Sequence, residues 1–296
     1  MKFIGTVAVL GTGLLGASLA RALKKLPDAP RVAAWSRGAS TRAKCRALPE
    51  VFDEVFDSPE EAAASADVVV ICSPTANIPE IAAKIAPAMK GGAAMTDVGS
   101  VKGAICAKCA EIAAAENRSR EESGRGGKIF FAGSHPMAGS EKIGIDFSDA
   151  DLFKTRPCFV VPTAACGSGQ IELLRAMWES VGMRVYEVSP EEHDAIVAGV
   201  SHLPHLVAGT LCNTAAGFPS GDLRKYAGPG FRDCTRVSSG NPEIWDSIVA
   251  DNRDAILAAL RNFSGELSEL VSALERRDFA KIGGKLRAAK AYRDKL

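Results

Sequence analysis

The stretch GTGLLG at 11–16 stands between the apolar run TVAVL and the helix-periodic run LLGASLARAL. Three glycines at that spacing constrain the fold more than anything else in the chain. The first allows a tight turn, the second lets an anionic group approach the backbone, and the third lets the helix pack on its strand. The helix opens with unpaired N–H groups and the positive end of its dipole, which suits a phosphate. The pattern predicts the start of a dinucleotide-binding βαβ unit, with Gly11, Gly13, Leu14, Leu15 and Gly16 forming the pyrophosphate loop.

In such a unit an acid about twenty residues past the last glycine binds the ribose 2′-hydroxyl of NAD. Here that position is Ser36, in WSRGASTR, and no carboxylate is near it. Ser36, Arg37, Ser40 and Thr41, with Arg42 behind them, suit a dianionic 2′-phosphate, so NADP is expected. The alternative is NAD bound without its usual acid, with the arginines as solvated loop charges.

From Thr6 to about Val161, short apolar runs (TVAVLG, RVAAWS, DVVVICS, AAMTDV, KIFFAG, CFVV) alternate with helical stretches. Runs that are apolar throughout are those of parallel strands covered on both faces, and the alternation predicts a Rossmann-like doubly wound α/β sheet. SPEE at 58–61 reads as a helix cap followed by a first-turn proline. The polar segment 116–128 reads as an exposed loop or frayed helix end. Beyond about Glu191 the periodicity is helical only, and long stretches such as PEIWDSIVADNRDAILAALRNFSGELSELVSAL need other helices, in this chain or a second copy, to cover their apolar stripes. The expected organisation is a dinucleotide-binding domain over 1–188 and an all-helical domain over 189–296.

Composition excludes several classes. With 36 Lys+Arg against 35 Asp+Glu there is no basic excess for a phosphate backbone, so no nucleic-acid partner is expected. The apolar N-terminus carries loop-spaced glycines rather than a signal peptide, and a cytoplasmic protein with no membrane association is expected. Eight scattered cysteines do not form a disulfide scaffold, and Cys106 and Cys109, a C-x-x-C inside a helical run, lack a second pair for zinc. No metal is expected.

Two further strand ends point to the crevice. Ser73, Pro74 and Thr75, in CSPT, would border the nicotinamide ribose, while Ser100 and Lys102, in TDVGSVK, open the next helix, where the serine caps it or meets ligand. His135 follows KIFFAGS, also at a strand's carboxyl end. A histidine there is either structural or a base that takes a hydroxyl proton as hydride leaves the same carbon.

GTGLLGASLA, DVGSVK, GSHPMAGSE, SHLPH and GFRDCTRVSSGNPEIW, in this order, resemble the prephenate/arogenate dehydrogenase family, over essentially the whole chain. The resemblance implies a dinucleotide domain followed by a helical dimerisation domain, and hence a homodimer. It implies an enzyme that oxidatively decarboxylates prephenate to 4-hydroxyphenylpyruvate, or arogenate to tyrosine. By it, His135 accepts the C4-hydroxyl proton, Ser100 contacts the same hydroxyl and the nicotinamide, and Arg236 clamps a substrate carboxylate. Ser201 and His205, four apart in SHLPH, would reach the same pocket, and Trp245 either closes it or belongs to the core. His202 points elsewhere, His193 has a local structural role, and Arg232 pairs with Asp233 or another acid. Glu141 either meets an arogenate ammonium or bonds within its own helix. His205 resembles the histidine of prephenate-using members, which favours prephenate, whereas SRGAST resembles NADP-dependent arogenate enzymes. With the last residue at Leu296, no added amino-acid-binding regulatory domain is expected.

Overall fold

The computed structural model describes residues 4–139, 142–164, 166–219 and 221–296. Six strands form a parallel sheet: β1 (Thr6–Leu10), β2 (Arg31–Trp35), β3 (Glu54–Val55), β4 (Val68–Ile71), β5 (Ala94–Asp97) and β6 (Phe130–Phe131), in the spatial order β3-β2-β1-β4-β5-β6. Their crossovers carry α1 (Leu14–Lys24), α2 (Ala39–Arg46), α3 (Pro59–Ala64), α4 (Ile78–Ile85) and α5 (Gly103–Glu122). β4 and β5 are buried at every residue, as helices on both faces require. Burying each Val or Ile side chain contributes about 1.5–3 kcal/mol. The strand order reverses between β1 and β4, which opens a crevice beyond Leu10 and Ile71.

A second sheet of three strands follows: β7 (Gly133–Pro136), β8 (Pro157–Val161) and, after α6 (Ser168–Ser180), β9 (Arg184–Glu187), with β7 antiparallel and β9 parallel to β8. CFVV therefore belongs to this sheet and not to the doubly wound one. The reason is that the chain turns at Ala132, after which β7 pairs with β8 rather than continuing β6. Thr96 Oγ1 and Ser134 Oγ lie 2.7 Å apart, and Trp178 Nε1 of α6 donates to the same serine oxygen at 3.0 Å, which locks the small sheet onto the large one.

The segment 116–128 also departs from expectation, because α5 runs on to Glu122. Glu116 and Arg120 are buried as a pair at 2.8 Å, and the Arg120 guanidinium donates to the carbonyls of Ala86 and Met89 at the end of α4. Ser58 caps α3 by accepting from Glu61 N at 3.2 Å, as SPEE predicts.

The remainder is helical: α7 (Pro190–Val197), a π turn (Ala198–His202), α8 (Leu203–Ala216), α9 (Pro229–Thr235), α10 (Pro242–Asp251), α11 (Arg253–Glu275) and α12 (Phe279–Arg293). Pro204, which lacks an N–H, stands in the first turn of α8, with only Leu203 between it and the π turn, and removes a donor from the hydrogen-bond ladder there. The long stretch beginning PEIW is broken at Asn252, whose side chain turns inward. Among the described residues, the run Pro190–Ala216 is long and apolar enough to cross a membrane by length and composition. Leu267, Val271, Leu274, Phe279 and Leu286 of α11 and α12 are exposed, so these helices present an apolar face that the chain alone does not cover.

Candidate active site

The glycine loop has the geometry its spacing predicts. Gly11 has φ 107°, and a Cβ there would sit 2.3 Å from the Cys72 carbonyl oxygen. A Cβ at Gly16 would fall 2.0 Å from the Gly11 oxygen, so α1 packs against the loop only with glycine there. Gly13 is the N-cap of α1, has no side-chain cap, and leaves open space where a Cβ would be. Gly11 and Gly13 line a cleft of about 570 Å³ together with Ser36, Arg37, Ser40, Thr41, Ser73 and Pro74. The donor set, a helix N-terminus at one end and hydroxyls and cations at the other, fits a dinucleotide.

The remaining predicted cofactor residues are not part of the cleft lining. Leu15 packs against the core, Thr75 is buried at the start of a short 3₁₀ turn, and Leu14 and Ser100 are half-buried off the cleft lining. Ser36 accepts from Thr12 N at 2.9 Å, and its oxygen lies 2.7 Å from Thr12 Oγ1, so this hydroxyl ties β2 to the glycine loop. Arg42 donates to the carbonyls of Ser36 and Arg37 and to Asp57. Arg37 remains exposed on the cleft wall, and Lys44, which the sequence reading passed over, joins it there, 2.5 Å from Asp146 across the mouth.

His135 lies within β7, paired with Phe159 of β8, and is only 7% exposed. Its Nδ1 is 2.8 Å from His193 Nε2, and His193 Nδ1 is 2.7 Å from Asp194 Oδ1. Asp194, a carboxylate, only accepts, so His193 carries its proton on Nδ1 and accepts at Nε2 from His135 Nδ1–H. This leaves the lone pair of His135 on Nε2, the atom free to take a proton. Burial, followed by the neighbouring His193 and Lys102, holds His135 well below the ordinary histidine pKa, so it is neutral near pH 7. Burial also lowers His193, although Asp194 pulls the other way. For Asp194, burial works upward, but the bonds from His193 and from the backbone N–H groups of Lys102 and Gly103 outweigh it and keep the carboxylate ionised.

His193 is thus no local structural residue but the link between His135 and a carboxylate. The signal available in sequence was the adjacent His-Asp pair after a Ser-Pro helix start, too common a pattern to single out. Beneath the relay lie Asp97 and Lys102, fully buried and ion-paired. The Cys106 thiol beside them is pushed up to about 12 by burial, and Cys109 is raised by burial as well; neither is a thiolate.

The helical part forms a second concavity, a groove of about 770 Å³. His205 and Trp245 stack in it with ring centroids 3.6 Å apart and planes at 14°. His202 meets the same indole edge-on at 5.9 Å, is buried, and bonds Asn252 through Nδ1 at 3.1 Å. Ser201, in the π turn, is half-buried and off the groove wall, so the four-residue spacing does not carry it to the same place as His205. Arg236 is exposed at the head of the 3₁₀ turn Arg236–Ser239, whose Ser238 borders the groove. Arg232 donates to the Ala227 carbonyl at 3.2 Å rather than pairing with Asp233. Glu141 lies outside the described residues.

Residues 19–187 match the family model of the prephenate dehydrogenase nucleotide-binding domain, and residues 189–287 match that of the prephenate dehydrogenase dimerization domain. The chain belongs to the prephenate dehydrogenase family. It is 32% identical to the cyclohexadienyl dehydrogenase of Zymomonas mobilis, covering 92% of this chain and 89% of that protein. Among solved structures it superposes on prephenate dehydrogenase from A. aeolicus in complex with hydroxyphenyl propionate and NAD+ with a TM-score of 0.85, at 30% identity and 97% and 96% coverage. Synechocystis arogenate dehydrogenase superposes with a TM-score of 0.83, also at 30% identity, covering 98% of this chain and 99% of that one. Family membership makes the chain an oxidoreductase that uses a nicotinamide dinucleotide.

Proposed function

We propose that this chain is a homodimeric dehydrogenase that converts prephenate to 4-hydroxyphenylpyruvate, with NADP preferred over NAD. The observation that carries the reading is the His135–His193–Asp194 relay, a neutral imidazole backed by a carboxylate, in a chain whose glycine loop has the geometry that suits a dinucleotide. The nicotinamide, when bound, supplies the hydride acceptor. His135 Nε2 takes the C4-hydroxyl proton as hydride leaves the same carbon and the ring carboxylate departs as CO2, and the positive charge that forms on the imidazole is spread through His193 toward Asp194. Because that charge is stabilised only as it develops, the relay favours the transition state over the ground state. Ser100 contacts the same hydroxyl, and Arg236 receives a substrate carboxylate. His205 and Trp245 bound the ring, with Trp245 held flat by His205.

For the cofactor, Arg37, Ser40, Thr41 and Lys44 gather hydroxyls and cations at one end of the cleft. Ser36, where an NAD enzyme carries its acid, is occupied with Thr12 and puts no carboxylate at that position. NAD is the second cofactor, consistent with the Aquifex complex named above. The apolar faces of α11 and α12, in the segment matched to a dimerization domain, support the homodimer.

Arogenate is the second substrate reading, favoured by the likeness to the Synechocystis enzyme. Steady-state turnover of the purified protein with prephenate and with arogenate, each with NAD and NADP, decides between them. The highest kcat/KM is expected for prephenate with NADP. Higher kcat/KM for arogenate would reverse the substrate assignment, and no turnover of either would overturn the reading.

A further inference from the structure

We propose that the buried Asp97–Lys102 ion pair is the positioning device of the proton relay, with Lys102 the residue that ties its two ends to one anchor. The proposal rests on the reading of His135 as proton acceptor.

Both side chains are fully buried, and a buried ammonium is costly unless paired and hydrogen-bonded. Each atom of the pair has a further task. Asp97 Oδ2 accepts from the Lys102 ammonium and from Gly99 N at 2.8 Å, while Oδ1 accepts from Ser134 N at 3.1 Å. Ser134 immediately precedes His135 in β7. From the other side, Lys102 N donates at 2.8 Å to Asp194 Oδ1, the same oxygen that accepts from His193 Nδ1. The connections form a closed ring, Asp97–Ser134–His135–His193–Asp194–Lys102 and back to Asp97. The lysine stem also supports β7 directly, since a Cβ on Gly133 would stand 2.9 Å from Lys102 Cδ.

The ring explains how residues on four elements hold the relay: β5 ends at Asp97, α5 starts after Lys102, β7 carries His135, and α7 carries His193 and Asp194. A hydrogen-bonded chain of side chains is productive only within a fraction of an ångström of its working geometry. A shift of Asp97 or Lys102 reaches His135 through its own backbone and reaches Asp194 through the α5 start. The pair also sets the charge around the base. Around His135 stand His193 from α7, Lys102 from the α5 start and His202 from the π turn, with Asp194 behind His193, Asp97 of β5 on the N–H of the preceding Ser134, and Cys158 of β8 on the His135 backbone. Lys102, His193 and His202 oppose protonation of His135. With Lys102 removed, Asp97 is left as an unbalanced negative charge, which favours protonation.

The test compares Lys102→Met and Asp97→Asn with wild type, using kcat, substrate KM, dinucleotide affinity by fluorescence titration, and the pH profile of kcat. Both variants are expected to lose about 10–100-fold in kcat, with KM and dinucleotide affinity within about two-fold of wild type. In Lys102→Met the acid limb of the profile moves to higher pH, a change that a purely structural role does not produce. If Lys102→Met does not fold, Asp97→Asn, isosteric and still able to accept from Ser134, carries the test through its kcat and binding split. Wild-type kcat with an unmoved acid limb in a folded Lys102→Met, wild-type kcat in Asp97→Asn, or an equal loss of dinucleotide binding in either, would overturn the proposal. His135→Asn serves as the control. If it retains turnover, the reading of His135 fails; if it is inactive while Lys102→Met behaves as wild type, only the role of the ion pair fails.

Discussion

His135 Nδ1 and His193 Nε2 lie 2.8 Å apart, although 58 residues separate them and they belong to a strand of the α/β part and the first helix of the helical part. The contact joins the two parts on the ring nitrogen opposite Nε2, the atom where the chemistry is proposed. It gives the base an orientation, and through Asp194 a counter-charge.

Replacing His135 by Asn is expected to cut turnover by about 10²–10⁴ while leaving dinucleotide affinity near wild type. His193→Ala is expected to lose less, about 10–100-fold, since it orients the base without touching substrate. Steady-state kinetics paired with dinucleotide titration measures both. Wild-type turnover in His193→Ala would mean that the relay is not used.

The pH dependence has a defined sign. As the proposed base His135 works only when unprotonated, and burial, with help from His193 and Lys102, depresses its pKa below the ordinary 6.5. Activity is therefore lost as pH falls through a value below 6.5, and an acid limb of kcat/KM centred at or above 6.5 would contradict the assignment. Stability follows a related course. Burial lowers His202 to about 4, so between about 4 and 6.5 the unfolded chain binds the more protons. The contribution of His202 is present above 6.5 and is lost as pH falls from there toward about 4. Urea unfolding across that range measures it.

Cofactor preference is expected to rest on the exposed cations of the cleft. Arg37→Ala and Lys44→Gln should each raise the KM for NADP by about 10-fold, the scale of one charge-assisted hydrogen bond. The KM for NAD should stay within about two-fold. Equal effects on both cofactors would remove the 2′-phosphate from this end of the cleft.

Arg236→Ala is expected to raise the substrate KM by at least about 10-fold with a smaller change in kcat, as loss of a clamp acting equally in ground and transition states does. An unchanged KM would show that the exposed guanidinium does not meet the substrate carboxylate.

Much of the α/β part is legible in the chain because its signals are local. The glycine spacing at 11–16 specifies a turn whose positions 11 and 16 only glycine fills, and apolar runs such as VVVI need no partner information to be read as buried strands. The same locality misleads at the edges of the pattern. CFVV is as apolar as the strands before it, and nothing within it tells which sheet it joins. ENRSREES looks like loop because its charges look solvated, yet Glu116 and Arg120 neutralise one another inside the protein.

By itself, then, the sequence determined an α/β part followed by a helical one and a family likeness that the comparisons bear out, and it pointed to a glycine loop and to a histidine proposed to take a proton. The tertiary structure alone decided what stands behind that histidine. His193, Asp194, Lys102 and Asp97 come from α7, the start of α5 and the end of β5, and none has a local pattern that sets it apart. Their roles depend on burial and on distances across the fold, because a carboxylate or an ammonium acquires a fixed partner and a definite influence on a nearby base only once water has been excluded around it.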